Sequence, residues 1–186
     1  MATSRLLRAQ LFFAGFLLTA TACTDSPPGM VIDPYLEAIE ADYIIFGLRS
    51  YLTRNGIREA IVEADTALIF QDSTVVFLRG HVRLTAYNEE LGTEKAVVTS
   101  DRGRLDTDTN ELFAEGNAVL VIQADGRRIE SYELRYIPDA NRIQSDSTTV
   151  MYDGDTIMEG TSFTSDLDFT DVVILNGRTR GGAIRF

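Results

Sequence analysis

The side chains of this sequence that could do chemistry are few and widely separated. The chain has a single histidine, His81, and a single cysteine, Cys23. A zinc site needs three or four Cys, His or carboxylate ligands, and Ser-His-Asp catalysis needs a histidine close to an activated serine. No serine lies in a recognisable catalytic motif, and His81 lies between Arg79 and Arg83, as expected for a solvated strand residue. We therefore predict no catalytic residue.

The spacing of Asp106, Asp108 and Asn110 resembles the start of a calcium-binding loop. Such a loop also needs glycine at its sixth position and glutamate at its twelfth, where this chain has Glu111 and Asn117. A hairpin turn is the better interpretation, and we predict neither a metal nor a cofactor. The chain has 28 Asp and Glu residues, so carboxylate pairs exist, but no spacing favours a glycosidase pair over a solvated acidic surface.

The N-terminus has the three parts of a secretory signal peptide. Arg5 and Arg8 give a positive start, an apolar segment runs from Leu11 to Leu18, and small residues precede Cys23. The apolar run is about a dozen residues, whereas a spanning helix needs roughly 20. Residues 20–23, Ala-Thr-Ala-Cys, resemble a bacterial lipobox with alanine in place of the usual leucine, which predicts lipid attachment at Cys23. Ordinary cleavage, or an uncleaved membrane helix, is the alternative for residues 1–22.

Composition limits what the rest of the chain can bind. The formal net charge is −11, and removal of residues 1–22, which hold two arginines and no acid, makes the remainder more acidic. Such a domain repels phosphates, so nucleic acid is excluded as a partner, and adsorption to anionic membranes through a basic face is disfavoured. Hydrophobic residues make up 45% of the chain, too many for a disordered protein. The remaining ~160 residues suit one domain.

The segment 23–42 is predicted to be a tether with a possible short helix. Residues 24–29, Thr-Asp-Ser-Pro-Pro-Gly, are polar and turn-forming. Asp33 and Pro34 are typical of a helix start, and residues 35–41 could extend it for about two turns. From Tyr43 onward the pattern changes to strands.

Two segments with the same alternating pattern provide the strand evidence. In residues 74–84 and again in 110–120, every second position is apolar or glycine, with glycine at the centre, Gly80 and Gly116. Period-two alternation gives a strand one buried and one wet face, and a central glycine indicates a bulge or bend. A looser copy relates residues 100–112 to 131–143, each a strand running into an Asp-x-Asn turn.

Further turn signals are spaced as in an antiparallel all-β meander. They occur at Asn55-Gly56, Gly92, Asp125-Gly126, Asp153-Gly154 and Asn176-Gly177. Hairpins that repeat with a drifting period predict stacked antiparallel strands rather than a closed barrel. Such a sheet has to fold over itself to bury its apolar face.

These motifs, in order, resemble the LptC/OstA-like family over residues 43–182. The segments that carry the resemblance are Gly56 to Asp65, Gly80-His81-Val82-Arg83-Leu84, Gly116-Asn117-Ala118-Val119, Leu134-x-Tyr136, Ile143-Gln144-Ser145 and Gly160-x-x-Phe163-x-Ser165-Asp166. The resemblance implies an all-β fold, an antiparallel folded-sheet β-jellyroll often described as a taco, with a V-shaped apolar interior. The predicted domain is 43–186.

The resemblance also implies a function and partners. LptC-like proteins stand at the periplasmic face of the inner membrane, take lipopolysaccharide from the LptBFG ABC transporter, and hand it to the bridge protein LptA. Neighbouring jellyrolls join edge to edge, as open sheet edges readily do. Family members are commonly anchored by a transmembrane helix, whereas this chain has a lipobox-like signal in its place.

The alternation predicts which side chains line the lipid groove; the alternative for each is ordinary core packing. The groove candidates are Val76, Leu78, Val82, Leu84, Leu112, Leu120, Leu134, Tyr136 and Phe163.

Three other functions are compatible with parts of the sequence. An LptA-like bridge would share fold and cargo but lack a membrane tether, and a structural envelope lipoprotein would have a closed core without a cleft. A carbohydrate-active jellyroll enzyme normally presents aromatic platforms to sugar rings, and the absence of tryptophan argues against it.

Overall fold

A computed structural model describes residues 41–180 of the chain. This part consists of twelve strands and one short 3-10 helix, Pro138–Ala140, and every strand pair is antiparallel. The strands are β1 (Tyr43–Arg54), β2 (Ile57–Ile69), β3 (Val75–Tyr87), β4 (Glu94–Asp106), β5 (Leu112–Ile122), β6 (Arg128–Ile137), β7 (Arg142–Ser145), β8 (Thr149–Asp153), β9 (Thr156–Gly160), β10 (Ser162–Ser165), β11 (Val173–Leu175) and β12 (Arg178–Arg180). The predicted all-β antiparallel fold is confirmed.

The strands form one open sheet that branches at its sixth strand. β1 to β6 pair in chain order as a meander. The C-terminal part of β6, residues 135–137, pairs with β7, and that branch continues through β10 to β11. The N-terminal part, residues 128–131, pairs with β8, and that branch continues through β9 to β12. The end strands leave the sheet open, as expected for a jellyroll rather than a barrel.

A small hydrogen-bond network holds the branch point together. The Ser131 and Ser145 hydroxyls lie 2.8 Å apart, and Ser145 also donates to Oε1 of Glu133 at 3.0 Å. The same carboxylate oxygen accepts the Asp146 backbone N–H at 2.7 Å. At the point where the β7 and β8 branches separate, backbone pairing alone leaves polar groups without partners. These side-chain contacts satisfy them.

A row of β-bulges crosses the sheet, and we call this row the crease. β3 and β5 each carry an extra residue relative to their neighbours, at Gly80-His81 and Gly116-Asn117. All four residues have positive φ, from 43° to 79°. Bulges bend a strand and increase its twist. The glycines predicted to mark bends therefore do so, and the crease divides each long strand into two halves.

The sheet curls so far that its first strand meets the end of its sixth. Arg54, the last residue of β1, donates from Nη2 to Oδ1 of Asp139, just after β6, at 2.9 Å. In a flat sheet, five strand-to-strand steps of about 4.8 Å would separate these positions by roughly 24 Å. The contact shows that the sheet folds over itself, as the sequence predicts for a sheet that buries an apolar face.

The interior of the folded sheet holds a single apolar core, with residues from both sides of the crease. It includes Leu78, Leu105 and Leu134 on one side and Leu84, Val98 and Leu120 on the other. The alternation is confirmed, since the even positions from Val76 to Leu84 and from Leu112 to Leu120 lie on the core side while Arg79, His81, Arg83 and Asn117 are exposed.

The predicted turns lie between strands. Asn55-Gly56 forms a two-residue hairpin with φ of 51° and 80°, and Asn110 and Asn141 both adopt left-handed conformations at equivalent places in the looser copy. Asp106 closes its turn by accepting the backbone N–H groups of Asp108 and Thr109. This confirms the hairpin interpretation of the calcium-like spacing.

Several N-terminal predictions lie outside the described residues. They are the signal segment 1–22, the lipid-attachment residue Cys23, the tether up to residue 40 and the short helix after Pro34. Within residues 41–180, no helix has the length and hydrophobicity needed to cross a membrane.

Candidate lipid-binding cleft

Of the nine predicted groove residues, eight are buried and one is half-buried. Val76 is the half-buried residue, and it packs against the core. The buried ones are Leu78, Val82, Leu84, Leu112, Leu120, Leu134, Tyr136 and Phe163, each at most 6% exposed. The structure therefore brings all nine to one apolar interior. Contact with a lipid remains a prediction for each of them.

Three of the nine also line an internal space between the two halves of the folded sheet, which we call the cleft. The cleft has a volume of about 480 Å³. Its apolar wall includes Leu84, Val98 and Leu120 from one half and Tyr136 and Ile143 from the other. Small-molecule sites commonly have volumes of roughly 300–1,000 Å³. The volume of the cleft falls within this range.

Charged side chains surround the apolar wall and form a polar rim. Nε of Arg54 lies 2.8 Å from Oε1 of Glu59, and Nζ of Lys95 lies 3.0 Å from Oδ1 of Asp168. All four residues line the cleft. An apolar floor beneath a polar rim suits an amphiphile, whose chain and head need different surroundings.

Glu59 faces the interior because a bulge turns it there. Its neighbours pair as Leu52 with Ala60 and Thr53 with Arg58, which leaves Glu59 as an extra residue in β2. The side chain is only 10% exposed, and its Oε2 has no hydrogen-bond partner within the described structure. Burial raises the pKa of Glu59, an effect that the positive charge of Arg54 opposes. A bulge commonly re-aims a side chain in this way.

Tyr136 is the one tyrosine in the cleft wall that is fully in the core. Burial raises its pKa to about 12, with a further contribution from the negative charge of Glu59. The phenol therefore stays neutral at physiological pH, and it contributes an aromatic surface to the cleft wall.

A short loop, residues 166–171, closes one side of the cleft. The Asp166 carboxylate accepts the backbone N–H groups of Thr170 and Asp171, at 2.8 and 3.2 Å. Hydrogen bonds from Thr170 lower the pKa of Asp166, so it remains ionised. Phe169 lies in the core at φ 59°, and its carbonyl accepts from Arg127 at 3.0 Å.

Sequence reasoning missed the rim and the loop. Alternation places Glu59 on the outer face of β2, because the bulge that reverses it leaves no signal in the residue types. Phe169 follows Asp166 in a segment rich in Asp, Ser and Thr, which indicates a turn but not an inserted aromatic ring.

The other residues considered for chemistry lie away from the cleft. His81 is exposed at the crease, and its Nδ1 lies 2.6 Å from Oδ2 of Asp65. Among residues 41–180, no group of three or more His, Cys, Asp and Glu side chains could hold a metal ion.

Comparison with known proteins agrees with this architecture. A family model described as "LptC: Lipopolysaccharide-assembly, LptC-related" matches residues 40–182. The crystal structure of LptH from Pseudomonas aeruginosa, described as the LptA-homologous periplasmic component of a conserved lipopolysaccharide transport device, is similar with a TM-score of 0.53. The identity is 15%, and the match covers 67% of this chain and 95% of LptH, which supports the fold.

No curated protein sequence matches the chain. The family model nevertheless spans most of its length, including β1 to β12 and the whole cleft. This chain belongs to the LptC-related family of lipopolysaccharide-assembly proteins, components of lipopolysaccharide transport that act in the cell envelope.

Proposed function

We propose that this protein is the membrane-tethered, LptC-like subunit of a lipopolysaccharide exporter. In this role it receives lipid from an LptBFG-type ABC transporter and passes it to an LptA-like bridge protein. The observation that carries the proposal is the cleft, a space with an apolar wall and a charged rim inside a folded sheet whose edges are open.

The apolar wall supports a passive carrier rather than a motor. Each methylene of an acyl chain gains roughly 0.8 kcal/mol on leaving water for an apolar wall. A chain that slides from this cleft into an adjoining apolar groove changes its free energy little. The direction of transport therefore has to come from ATP hydrolysis in the transporter, and this domain provides a protected route.

The open edge of β1 supports the proposed assembly with neighbouring jellyrolls. β1 is twelve residues long and pairs with β2 on one side only. Ile45, Phe46 and Tyr51 on this strand are exposed. Long exposed edge strands pair readily with a partner's strand, because their free backbone N–H and C=O groups can form hydrogen bonds with it.

The N-terminus supports attachment to the periplasmic side of the inner membrane. Lipidation at Cys23 gives one anchor, and an uncleaved helix over residues 1–22 gives the other. Replacement Cys23→Ala should release the protein from the membrane fraction if lipid is the anchor. A variant that stays bound identifies the helix, and a wild-type protein found free in the periplasm supports the LptA-like bridge role.

Photo-crosslinking in cells tests the cargo. A photoreactive residue at Leu84 or Leu120, both in the cleft wall, should form lipopolysaccharide adducts. Arg83 is the matched control because it neighbours Leu84 but is exposed on the opposite face. Equal adducts at Arg83, or none at either cleft position, would contradict the carrier function and favour a structural lipoprotein.

A further inference from the structure

One oxygen of the buried Glu59 carboxylate has a hydrogen-bond partner and the other has none. Its Oε1 is held by Arg54 at 2.8 Å, while Oε2 is buried without a donor. Burying an acceptor without a partner is unfavourable, and more so when it is charged. Native proteins keep few such groups, and those they keep call for an explanation.

The fold places this unsatisfied oxygen at the cleft and not elsewhere in the core. The β2 bulge turns Glu59 inward, beside the apolar wall formed by Leu84, Ala86 and Tyr136. Arg54 donates from Nε to Oε1 of Glu59 and from Nη2 to Oδ1 of Asp139, and neither bond reaches Oε2. The other rim cation, Lys95, is paired with Asp168. The missing donor therefore has to come from outside the described residues.

We propose that Glu59 is the acceptor that recognises a neutral hydrogen-bond donor, a hydroxyl or amide N–H, on the polar head of the lipid in the cleft. The proposal deepens the carrier function and rests on it. Oε2 is covered in the unliganded protein, so the rim side chains move apart as the head group enters. Arg54 is the positioning residue, since its bond to Oε1 leaves Oε2 for the ligand.

Hydroxyls and amides fit this position better than phosphate or quaternary ammonium groups do. A phosphate would meet the Glu59 carboxylate as a like charge. The rim attracts a positive charge, because the carboxylates of Glu59, Glu89, Glu90 and Asp168 outnumber Arg54 and Lys95, but a quaternary ammonium group has no N–H to donate to Oε2. A neutral donor pairs with Oε2 and adds no net charge, and hydrogen bonds to ionised acceptors are about twice as strong as neutral ones. Sugar-bearing lipids carry such donors next to their acyl chains.

The test compares two lipids with the same twelve-carbon chain. N-dodecanoylglucosamine has hydroxyl and amide donors, whereas dodecylphosphocholine has none. Binding of each to the purified full chain is measured by calorimetry. We expect the wild-type protein to prefer the glucosamine lipid by about tenfold, which corresponds to ~1.4 kcal/mol.

Two variants isolate the acceptor, and a third serves as control. Glu59→Leu should reduce the preference to within about twofold by weakening only the glucosamine lipid, because the acceptor is lost. Glu59→Gln keeps a neutral acceptor oxygen and should retain a preference of about threefold. If the leucine variant does not fold, as judged by circular dichroism, the lipid preference of the glutamine variant still tests the role of Glu59. Glu94→Leu, an exposed position outside the cleft, should keep the wild-type ratio.

Each remaining outcome counts against a defined part of the proposal. An unchanged lipid ratio in both Glu59 variants overturns the assignment, since water would then satisfy Oε2. An equal loss of both lipids also overturns it, because Glu59 would then act through the shape of the rim. If the wild-type protein binds neither lipid, the cleft is not a carrier site, and both the proposed function and the role of Glu59 fail.

Discussion

Nδ1 of His81 lies 2.6 Å from Oδ2 of Asp65 on the adjacent strand, at the bulge of β3. The same arrangement recurs two strands later, where Nδ2 of Asn117 donates to Oδ2 of Asp101 at 2.7 Å. In both pairs a carboxylate on the neighbouring strand accepts a hydrogen bond from the residue that follows the bulge glycine. The crease is therefore a repeated structural unit, and the sequence repeat encodes it.

Replacement Gly80→Ala should destabilise the protein more than an ordinary turn glycine does. Gly80 has φ 70°, and a Cβ there would lie 2.5 Å from Oδ2 of Asp65. Gly126→Ala is the matched control, because its φ is 74° but nothing lies within 4 Å of its Cβ position. We expect a loss of about 1 kcal/mol at Gly126 and about 2–3 kcal/mol at Gly80. Urea denaturation measures both, and equal losses would show that the close approach is unimportant.

The protonation of His81 should stabilise the crease. Its hydrogen bond with Asp65, and then the negative charges of Asp65 and Asp101, raise the pKa of His81. The folded protein binds this proton more tightly than the unfolded chain does, so the added stability is present at low pH. It is lost as pH rises through the folded-state pKa.

An NMR titration of the imidazole C2 proton checks this shift directly, because His81 is the only histidine of the chain. Asp65→Asn should return the pKa toward the ordinary value, while Asp101→Asn should lower it less. A pKa that is unchanged in Asp65→Asn would exclude the pair as the cause.

The pH dependence of stability should also show the protonation of Glu59. Burial raises its pKa, so the folded protein holds a proton on Glu59 more strongly than the unfolded chain does. Stability should therefore fall as pH rises from the unfolded-state pKa to the folded-state pKa. Glu59→Gln removes this fall, whereas Arg54→Met steepens it because the opposing positive charge is lost. Denaturation midpoints measured between about pH 4 and 7 report the difference.

Phe169 should be one of the few sites where glycine is better tolerated than alanine. The ring is buried in the core, so Phe169→Ala should cost about 3–5 kcal/mol. The φ of 59° strains alanine but not glycine, so Phe169→Gly should cost about 1 kcal/mol less than Phe169→Ala. Chemical denaturation of the two variants gives the order, and a less stable glycine variant would mean that loop strain is negligible.

The edge of β1 should contact partner proteins, whereas the middle of the sheet should not. Tyr51 on β1 and Tyr132 on β6 are both 56% exposed, which makes them a matched pair. A photoreactive phenylalanine analogue at Tyr51 should crosslink to another envelope protein in cells. The same analogue at Tyr132 should not, because β5 lies on one side of β6 and β7 and β8 pair with its two ends on the other, so β6 is not an edge strand. Equal crosslinking at both positions would argue against edge-to-edge assembly.

Local patterns in the sequence determined the strands, their buried faces and the bends. Even positions from Val76 to Leu84 face inward because strand side chains alternate, whatever the sheet does elsewhere. Gly80 and Gly116 mark bulges because only glycine adopts positive φ without strain, and Asn110 and Asn141 mark turns for a related reason. These features depend on residues close in sequence, so one chain is enough to predict them.

Only the tertiary structure decided how the sheet closes and what the cleft contains. The contact between Arg54 and Asp139 depends on curl accumulated over six strands, and the branch at β6 depends on which strands compete for its edges. Glu59 points inward because of a bulge that contains no glycine, so the sequence does not indicate it. Phe169 enters the core from a polar loop. Long-range pairing sets these positions, and residue types along the chain carry little information about it.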